Sequence, residues 1–152
     1  MTTLSAPWRA ALEEAWTAYC EGSYAIGACI ADENGKVLAR GRNRLAEPRR
    51  VQGTGHTGFV AGHDLAHAEI NALLDLQVKL YPECYGWTVY TTVEPCPQCA
   101  GAVAMSSVRG LSYAAPGPER PTSSRGTATC RARACGSVVR QNTCRAPRCG
   151  WC

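Results

Sequence analysis

Ala66-His67-Ala68-Glu69 and Glu94-Pro95-Cys96-Pro97-Gln98-Cys99 are the two stretches on which the reading of this chain turns. Neither says much alone. His-x-Glu recurs by chance, and Cys-x-x-Cys serves redox pairs as well as zinc sites. Together they supply one imidazole, two thiolates, and a carboxylate two residues beyond the imidazole. Catalytic zinc commonly takes three protein ligands and keeps a fourth position for water. His67, Cys96 and Cys99 fill that quota and leave Glu69 over as a proton carrier. A purely structural zinc site would ordinarily be closed by a fourth protein ligand. Only His63 or a cysteine of the C-terminal segment offers itself for that place.

The spacing resembles the signature of the cytidine and deoxycytidylate deaminase superfamily, His-x-Glu followed by Pro-Cys-x-x-Cys. His67-Ala68-Glu69-Ile70-Asn71-Ala72-Leu73 is similar to the helix opening of that family. Tyr90-Thr91-Thr92-Val93 and the run through Cys99-Ala100-Gly101-Ala102 are similar to its second motif. The wording is closest to the branch holding bacterial tRNA adenosine deaminases, guanine deaminases and small cytosine deaminases, and Ile26-Gly27-Ala28 and Gly41-Arg42-Asn43 resemble it too. The resemblance spans roughly residues 7–116. It implies a three-layer α/β/α fold around a central mixed sheet and one Zn2+ per chain on His67, Cys96 and Cys99. It also implies that the backbone amides of Ala68 and Cys96 face the oxygen at the open metal position. Asn43 would hydrogen-bond the substrate, and a homodimer would form through helices beside the metal site. Ala25 departs from the pattern, standing where the family often has proline.

Hydrolytic deamination replaces an exocyclic amine on a ring carbon with oxygen. Water needs activation for this, and zinc lowers its pKa from about 15.7 to about 7. Helices starting near His67 and Cys96 would present their ligands from N-termini, whose positive ends favour thiolates. Cys96 and Cys99, three apart, would share one helix face. Glu69 would relay the protons, work that contributes about two to four powers of ten in rate. Tyr24, near the strand entering the site, is a candidate to stack on a base, or else a core tyrosine. Asn43 is alternatively a strand-end cap. His56, His63 and Asp64 lie in the loop before the metal helix, as solvated residues or as pocket lining, with Asp64 able to orient a base.

A chain of 152 residues with 45% hydrophobic content suits one compact domain. Seven arginines against one glutamate from Pro118 onward put +6 there, so the preceding residues carry −2 of the chain's net +4. The body is thus mildly acidic and gives no global signal for nucleic acid. Arg40, Arg42, Arg44, Arg49 and Arg50 form a basic run, read as a solvated face rather than an RNA track, since only Phe59 among stacking residues is nearby. Glu13 and Glu14 interrupt the N-terminal apolar pattern, which is neither a signal peptide nor a membrane span. A cytoplasmic protein is expected, its ten cysteines being thiols and metal ligands rather than a disulfide framework.

Trp8, Leu12, Ala15, Trp16 and Tyr19 recur at helical spacing after Ser5 and Pro7, predicting an amphipathic first helix whose aromatics pack on the sheet. Residues 25–31 and 37–42 read as a hairpin about Asn34-Gly35. A loop over 43–65 follows, then a helix over 66–80 with Ile70, Leu73, Leu74 and Val78 inward. A strand over 87–93, a small-residue helix over 96–106 and a strand over 108–114 complete a deaminase domain at residues 1–116. Residues 117–152 are too poor in large apolar side chains to offset the entropy of ordering, and read as an atypical tail, disordered or non-native. Their cysteines (Cys130, Cys135, Cys144, Cys149, Cys152) match no common zinc knuckle. The expected function is zinc-dependent deamination of a small nucleobase or nucleoside, a cytosine-like ring preferred over guanine. A tRNA adenosine deaminase and a non-catalytic, zinc-stabilised remnant are the competing readings.

Overall fold

The computed structural model of the chain describes residues 4–48, 60–76 and 85–117 and the backbone of 138–139. The element order is α1 (Ala6–Cys20), β1 (Gly27–Ala31), β2 (Val37–Arg42), α2 (Ala68–Asp75), β3 (Tyr85–Val93), α3 (Pro97–Met105), β4 (Val108–Ala115) and β5 (Val138–Val139). The strands form one mixed sheet in the order β2-β1-β3-β4-β5. β1 pairs antiparallel with β2 and β3, and β3 runs parallel to β4. A parallel pair needs a crossover, and α3 supplies it. β5 adds an antiparallel edge beside Gly110 and Leu111. It arises from the segment expected to contribute no element; the rest of that expectation, tail cysteines included, lies outside the described residues.

Side-chain alternation along β1 divides the core. Ala28 and Ile30 join Ala39, Ala68, Ala72, Val89 and Val103 on the face covered by α2 and α3. Cys29 turns the other way, against Ala10 and Ala11 of α1. With both faces covered, every residue of β1 is buried. The result is the expected three-layer α/β/α arrangement.

The first helix starts and stops as its sequence dictates. Pro7 occupies its first turn, where a missing N–H costs nothing. Its C-terminus closes when Ser23 N donates to Ala18 O and Gly22 N to Tyr19 O, with Gly22 at φ +79°. That is the Schellman arrangement, which glycine satisfies without a Cβ penalty. The buried face, however, is not the predicted one. Pro7, Ala10, Ala11, Ala15 and Ala18 face inward, whereas Leu12, Trp16 and Tyr19 are 44%, 67% and 62% exposed. Only Trp8 of the aromatic stripe meets the sheet, edge-on to Tyr90 at 5.2 Å. Close approach explains the rotation: a Cβ at Gly27 would fall on Ala11 O and Ala15 N, so only small residues fit the seam.

The same device seats α2. A Cβ at Gly41 would overlap Ala72 N and Ala68 O, so β2 and α2 touch backbone to backbone. Ala68, Glu69, Asn71 and Ala72 are therefore the buried residues, while Leu74 is exposed and Ile70 and Leu73 are only partly covered. The predicted inward set of Ile70, Leu73, Leu74 and Val78 is thus displaced around the helix, and Val78 lies outside the described residues. The helix also ends earlier than residue 80, because Leu76 is already extended at ψ 104°.

The hairpin turn is held by Asp32, whose Oδ1 accepts from Asn34 N and Lys36 N at 2.9 Å, with Gly35 at φ +79°. The basic run is tied internally. Arg40 pairs with Glu13 at 2.8 Å, and Arg42 and Arg44 close on the buried Glu47 at 3.0 and 3.6 Å. Arg49 and Arg50 lie outside the described residues.

The glycine seams give a paired prediction. Gly41→Ala should lower the unfolding free energy by about 1–3 kcal/mol or more, as overpacking does. Gly101→Ala, in α3 with nothing near its Cβ position, should raise it by up to about 1 kcal/mol. Urea denaturation of the two variants checks both signs.

Candidate active site

Two helix starts and one strand build the site. His67 is the residue that precedes α2, extended at ψ 156°, and Cys96 stands likewise before α3 at ψ 165°. Pro97 follows Cys96 in the first helical turn and fixes where α3 begins. Cys99 lies in that first turn, fully buried. β3 runs into α3 through Glu94-Pro95, and Glu94 is anchored to the end of β4 by its N–H to Ala115 O at 2.8 Å and its Oε2 to Gly117 N at 3.2 Å.

His67 Nδ1 lies 3.5 Å from Cys96 Sγ and 3.4 Å from Cys99 Sγ. All three donor atoms fall within 4.8 Å of one another. Zinc bonds of about 2.3 Å to sulfur and about 2.0–2.1 Å to nitrogen, at tetrahedral angles, require nitrogen–sulfur edges of roughly 3.6 Å. The observed edges are close to that value, and an imidazole with two thiols is a donor set zinc favours. Among the described residues these three make up the cluster able to hold a metal.

The two sulfurs are pushed in opposite directions. Cys96 accepts a hydrogen bond from Cys99; with the amides of Cys99 and Gln98 and the nearby His67, this outweighs burial and holds it down at about 5. Cys99 moves the opposite way, raised by donating that bond, by burial and by the adjacent Glu69 carboxylate. Cys29, in contrast, is pushed up to about 11 by burial on the α1 side of the sheet, and its Sγ lies 3.1 Å from Pro7 O. It is a core thiol.

Glu69 sits in the first turn of α2 and is 3% exposed. Thr91 Oγ1, on β3, donates to Glu69 Oε1 at 3.0 Å. The first intrahelical bond of α2 runs from Asn71 N to His67 O, so the Ala68 N–H has no partner within the helix. Asn71 Nδ2 donates to Arg42 O at 2.8 Å and ties α2 to the end of β2. Asn43 follows there, buried, its Oδ1 accepting from Leu45 N at 3.1 Å. That bond shapes the turn after β2.

The remaining candidates lie outward. Tyr24 is 66% exposed. His63 and Asp64 are exposed on the turn that delivers His67. His63 Nδ1 accepts from Leu65 N at 3.1 Å, and Ala66 N donates to His63 O at 2.8 Å. His56 lies outside the described residues. Glu47 escaped the sequence reading, and Asn71 and Thr91 entered it only within the quoted motif stretches, with no role of their own. For Thr91 a signal existed, since it stands two residues from inward-facing Val89 on an alternating strand.

Residues 1–115 match the family model of the cytidine and deoxycytidylate deaminase zinc-binding region. Cytosine deaminase of Candida albicans is 35% identical over 96 residues, 61% of this chain and 53% of that protein. The tRNA-specific adenosine deaminase of Bacillus subtilis is 35% identical over 112 residues, 72% of this chain and 60% of that protein. A structure from a study of A-to-I editing by tRNA:A34 deaminases superposes with TM-score 0.56 at 29% identity, covering 74% of this chain and 72% of that one. Guanine deaminase from Nitrosomonas europaea shares the fold at TM-score 0.59 and 24% identity, over 76% of this chain and 60% of that one. The chain spans little more than half the length of the Candida protein and somewhat more of the Bacillus one.

The opposed shifts of the two sulfurs set the pH dependence of metal uptake. Cys96 is already a thiolate above about pH 5, whereas Cys99 must lose its proton when zinc binds. The sulfurs should therefore contribute about one released proton and about a tenfold gain in zinc affinity per unit rise in pH, to which ionisation of a zinc-bound water adds above about pH 7. Calorimetry in buffers of differing ionisation enthalpy measures this.

Proposed function

From the premise that the chain belongs to the cytidine and deoxycytidylate deaminase family, we propose that it is a zinc-dependent hydrolase that deaminates a small nucleobase or nucleoside. The observation that carries this reading is the buried Glu69 carboxylate beside three donor atoms within 4.8 Å of one another, the two nitrogen–sulfur edges already near those of a zinc tetrahedron. One Zn2+ held by His67, Cys96 and Cys99 would supply the Lewis acidity that makes water nucleophilic near neutral pH.

The chain's own residues do the rest. Glu69 takes a proton from the attacking water as the new C–O bond forms at the ring carbon, and passes it to the adjacent ring nitrogen. It then carries the second proton to the amine as the C–N bond breaks, so that water and an amino-substituted ring become a carbonyl and ammonia. The Ala68 and Cys96 amides, at the two helix starts, are the donors that would steady negative charge on the oxygen. Burial strengthens each of these interactions.

Substrate contacts belong to the same proposal. Asn43 Nδ2 would donate to a ring carbonyl, and Tyr24, His63 and Asp64 would supply the rim. A cytosine-like ring is preferred, with guanine next. The likeness to a cytosine deaminase supports the first. The likeness to tRNA-specific adenosine deaminases supports a second reading, deamination of adenosine in tRNA. Against it, the arginines described around β2 are engaged with Glu13 and Glu47. Leu65, Leu74 and Met105, exposed on and beside α2 and α3, support the expected homodimer.

A panel of bases, nucleosides and an anticodon stem-loop, scored for ammonia, tests the proposal. Cytosine or a related free base should react and the stem-loop should not. Glu69→Ala should lower the rate by about two to four powers of ten while one zinc per chain is retained. A zinc-replete wild type that releases no ammonia from any of these substrates would instead support the non-catalytic remnant.

A further inference from the structure

We propose that Thr91 is a positioning residue that fixes which oxygen of Glu69 carries protons. The inference rests on the deaminase reading above and concerns the part of the site not contained in the His-x-Glu or Cys-x-x-Cys motifs.

Thr91 stands at mid-sheet, paired with Ala28 of β1 on one side and Tyr113 of β4 on the other, so its backbone is held from both edges. Its side chain is wholly buried, and β-branching restricts χ1. The hydroxyl is therefore a donor whose position is set by the sheet rather than by solvent. It lies 3.0 Å from Glu69 Oε1. An ionised carboxylate has only acceptors, so Thr91 must be the donor.

A glutamate carboxyl otherwise turns broadly about χ3. The bond from Thr91 arrests that rotation, turns Oε1 toward β3 and leaves Oε2 to take and give the proton. A carrier that must serve water, ring nitrogen and leaving amine in turn profits from presenting one oxygen in one orientation. Filling space against Val89 would not require this atom, because valine has the same shape. The hydroxyl is the part of Thr91 that packing alone leaves unaccounted for.

Thr91→Val removes the donor and keeps the shape, whereas Thr91→Ser keeps the donor and removes a methyl group. Each variant is prepared as the zinc-loaded full chain and assayed on the substrate the wild type deaminates fastest. Thr91→Val should lower kcat about ten- to hundredfold, with KM within about twofold and the zinc content of wild type. Thr91→Ser should recover kcat to within about threefold of wild type, although the lost methyl makes it the less well packed of the two. In crystals of zinc-loaded Thr91→Val, the Glu69 carboxyl should be rotated or spread over two orientations. Wild-type kcat in Thr91→Val, or a Thr91→Ser as impaired as Thr91→Val, would overturn the assignment. If wild type deaminates nothing, the deaminase reading fails by itself. The crystal comparison then decides the positioning role alone, and an unmoved Glu69 in Thr91→Val refutes it.

Discussion

Two helices that begin at the same point in space are the constraint from which the rest of this structure follows. His67 precedes α2 and Cys96 precedes α3, so each of these two candidate ligands belongs to a residue whose backbone conformation is already fixed by the need to start a helix. Cys99 is placed by the first turn of α3. None of the three depends on a long flexible connection for its position. Helix starts also gather unpaired amides and the positive end of the helix dipole. At Cys96 the hydrogen bond from the Cys99 thiol acts first, and the amides of Cys99 and Gln98 join it in holding the group down at about 5.

Bringing those starts together is a task for the sheet. β3 and β4 run parallel, and a parallel pair requires a crossover that returns the chain over one face. α3 is that crossover, which sets Cys96 at the end of β3. α2 reaches the same place by lying directly on β2 at Gly41, with Ala68 and Ala72 as the contacting residues. A larger side chain at that seam would lift α2 away and carry His67 and Glu69 with it. The small residues of the two seams thus act on the chemistry through distance. On the opposite face, the alanines of α1 seat against Gly27 in the same way.

The cluster of His67, Cys96 and Cys99 was legible in the sequence because its donor types are written as spacing. A histidine, a glutamate two residues on and a Cys-x-x-Cys after proline are informative without knowing where any helix points. The element order was legible for a similar reason, through Pro7, Asn34-Gly35 and the apolar runs. Helix orientation was not. Trp8, Leu12, Trp16 and Tyr19 form a more hydrophobic stripe than the alanines, and hydrophobicity alone selects it. What decided the outcome was the absence of a Cβ at Gly27, a contact between segments far apart in sequence. The same holds for α2, where Ala68 and Ala72 displaced Leu74 from the core. Thr91 was hidden differently, since a threonine in a β-strand is ordinary and only its 3.0 Å contact with Glu69 distinguishes it.

The site residues also sort by what holds them. His67, Glu69, Thr91, Cys96 and Cys99 sit at helix starts or mid-sheet. Asn43, Tyr24, His63 and Asp64 sit outside the helices and strands, where side-chain bonds such as Leu45 N to Asn43 Oδ1 and Leu65 N to His63 Nδ1 shape the turns. Rigid elements suit a reaction whose geometry tolerates little error, and turns can change without disturbing the sheet. Such a division explains how relatives named for cytosine and for adenosine in tRNA can both resemble one chain at about a third identity. The family match itself spans residues 1–115, which hold the rigid elements and both motifs. Under the proposed function, the substrate contacts of this chain fall on Tyr24 and on residues 43–48 and 60–66, where side chains can change without disturbing the sheet.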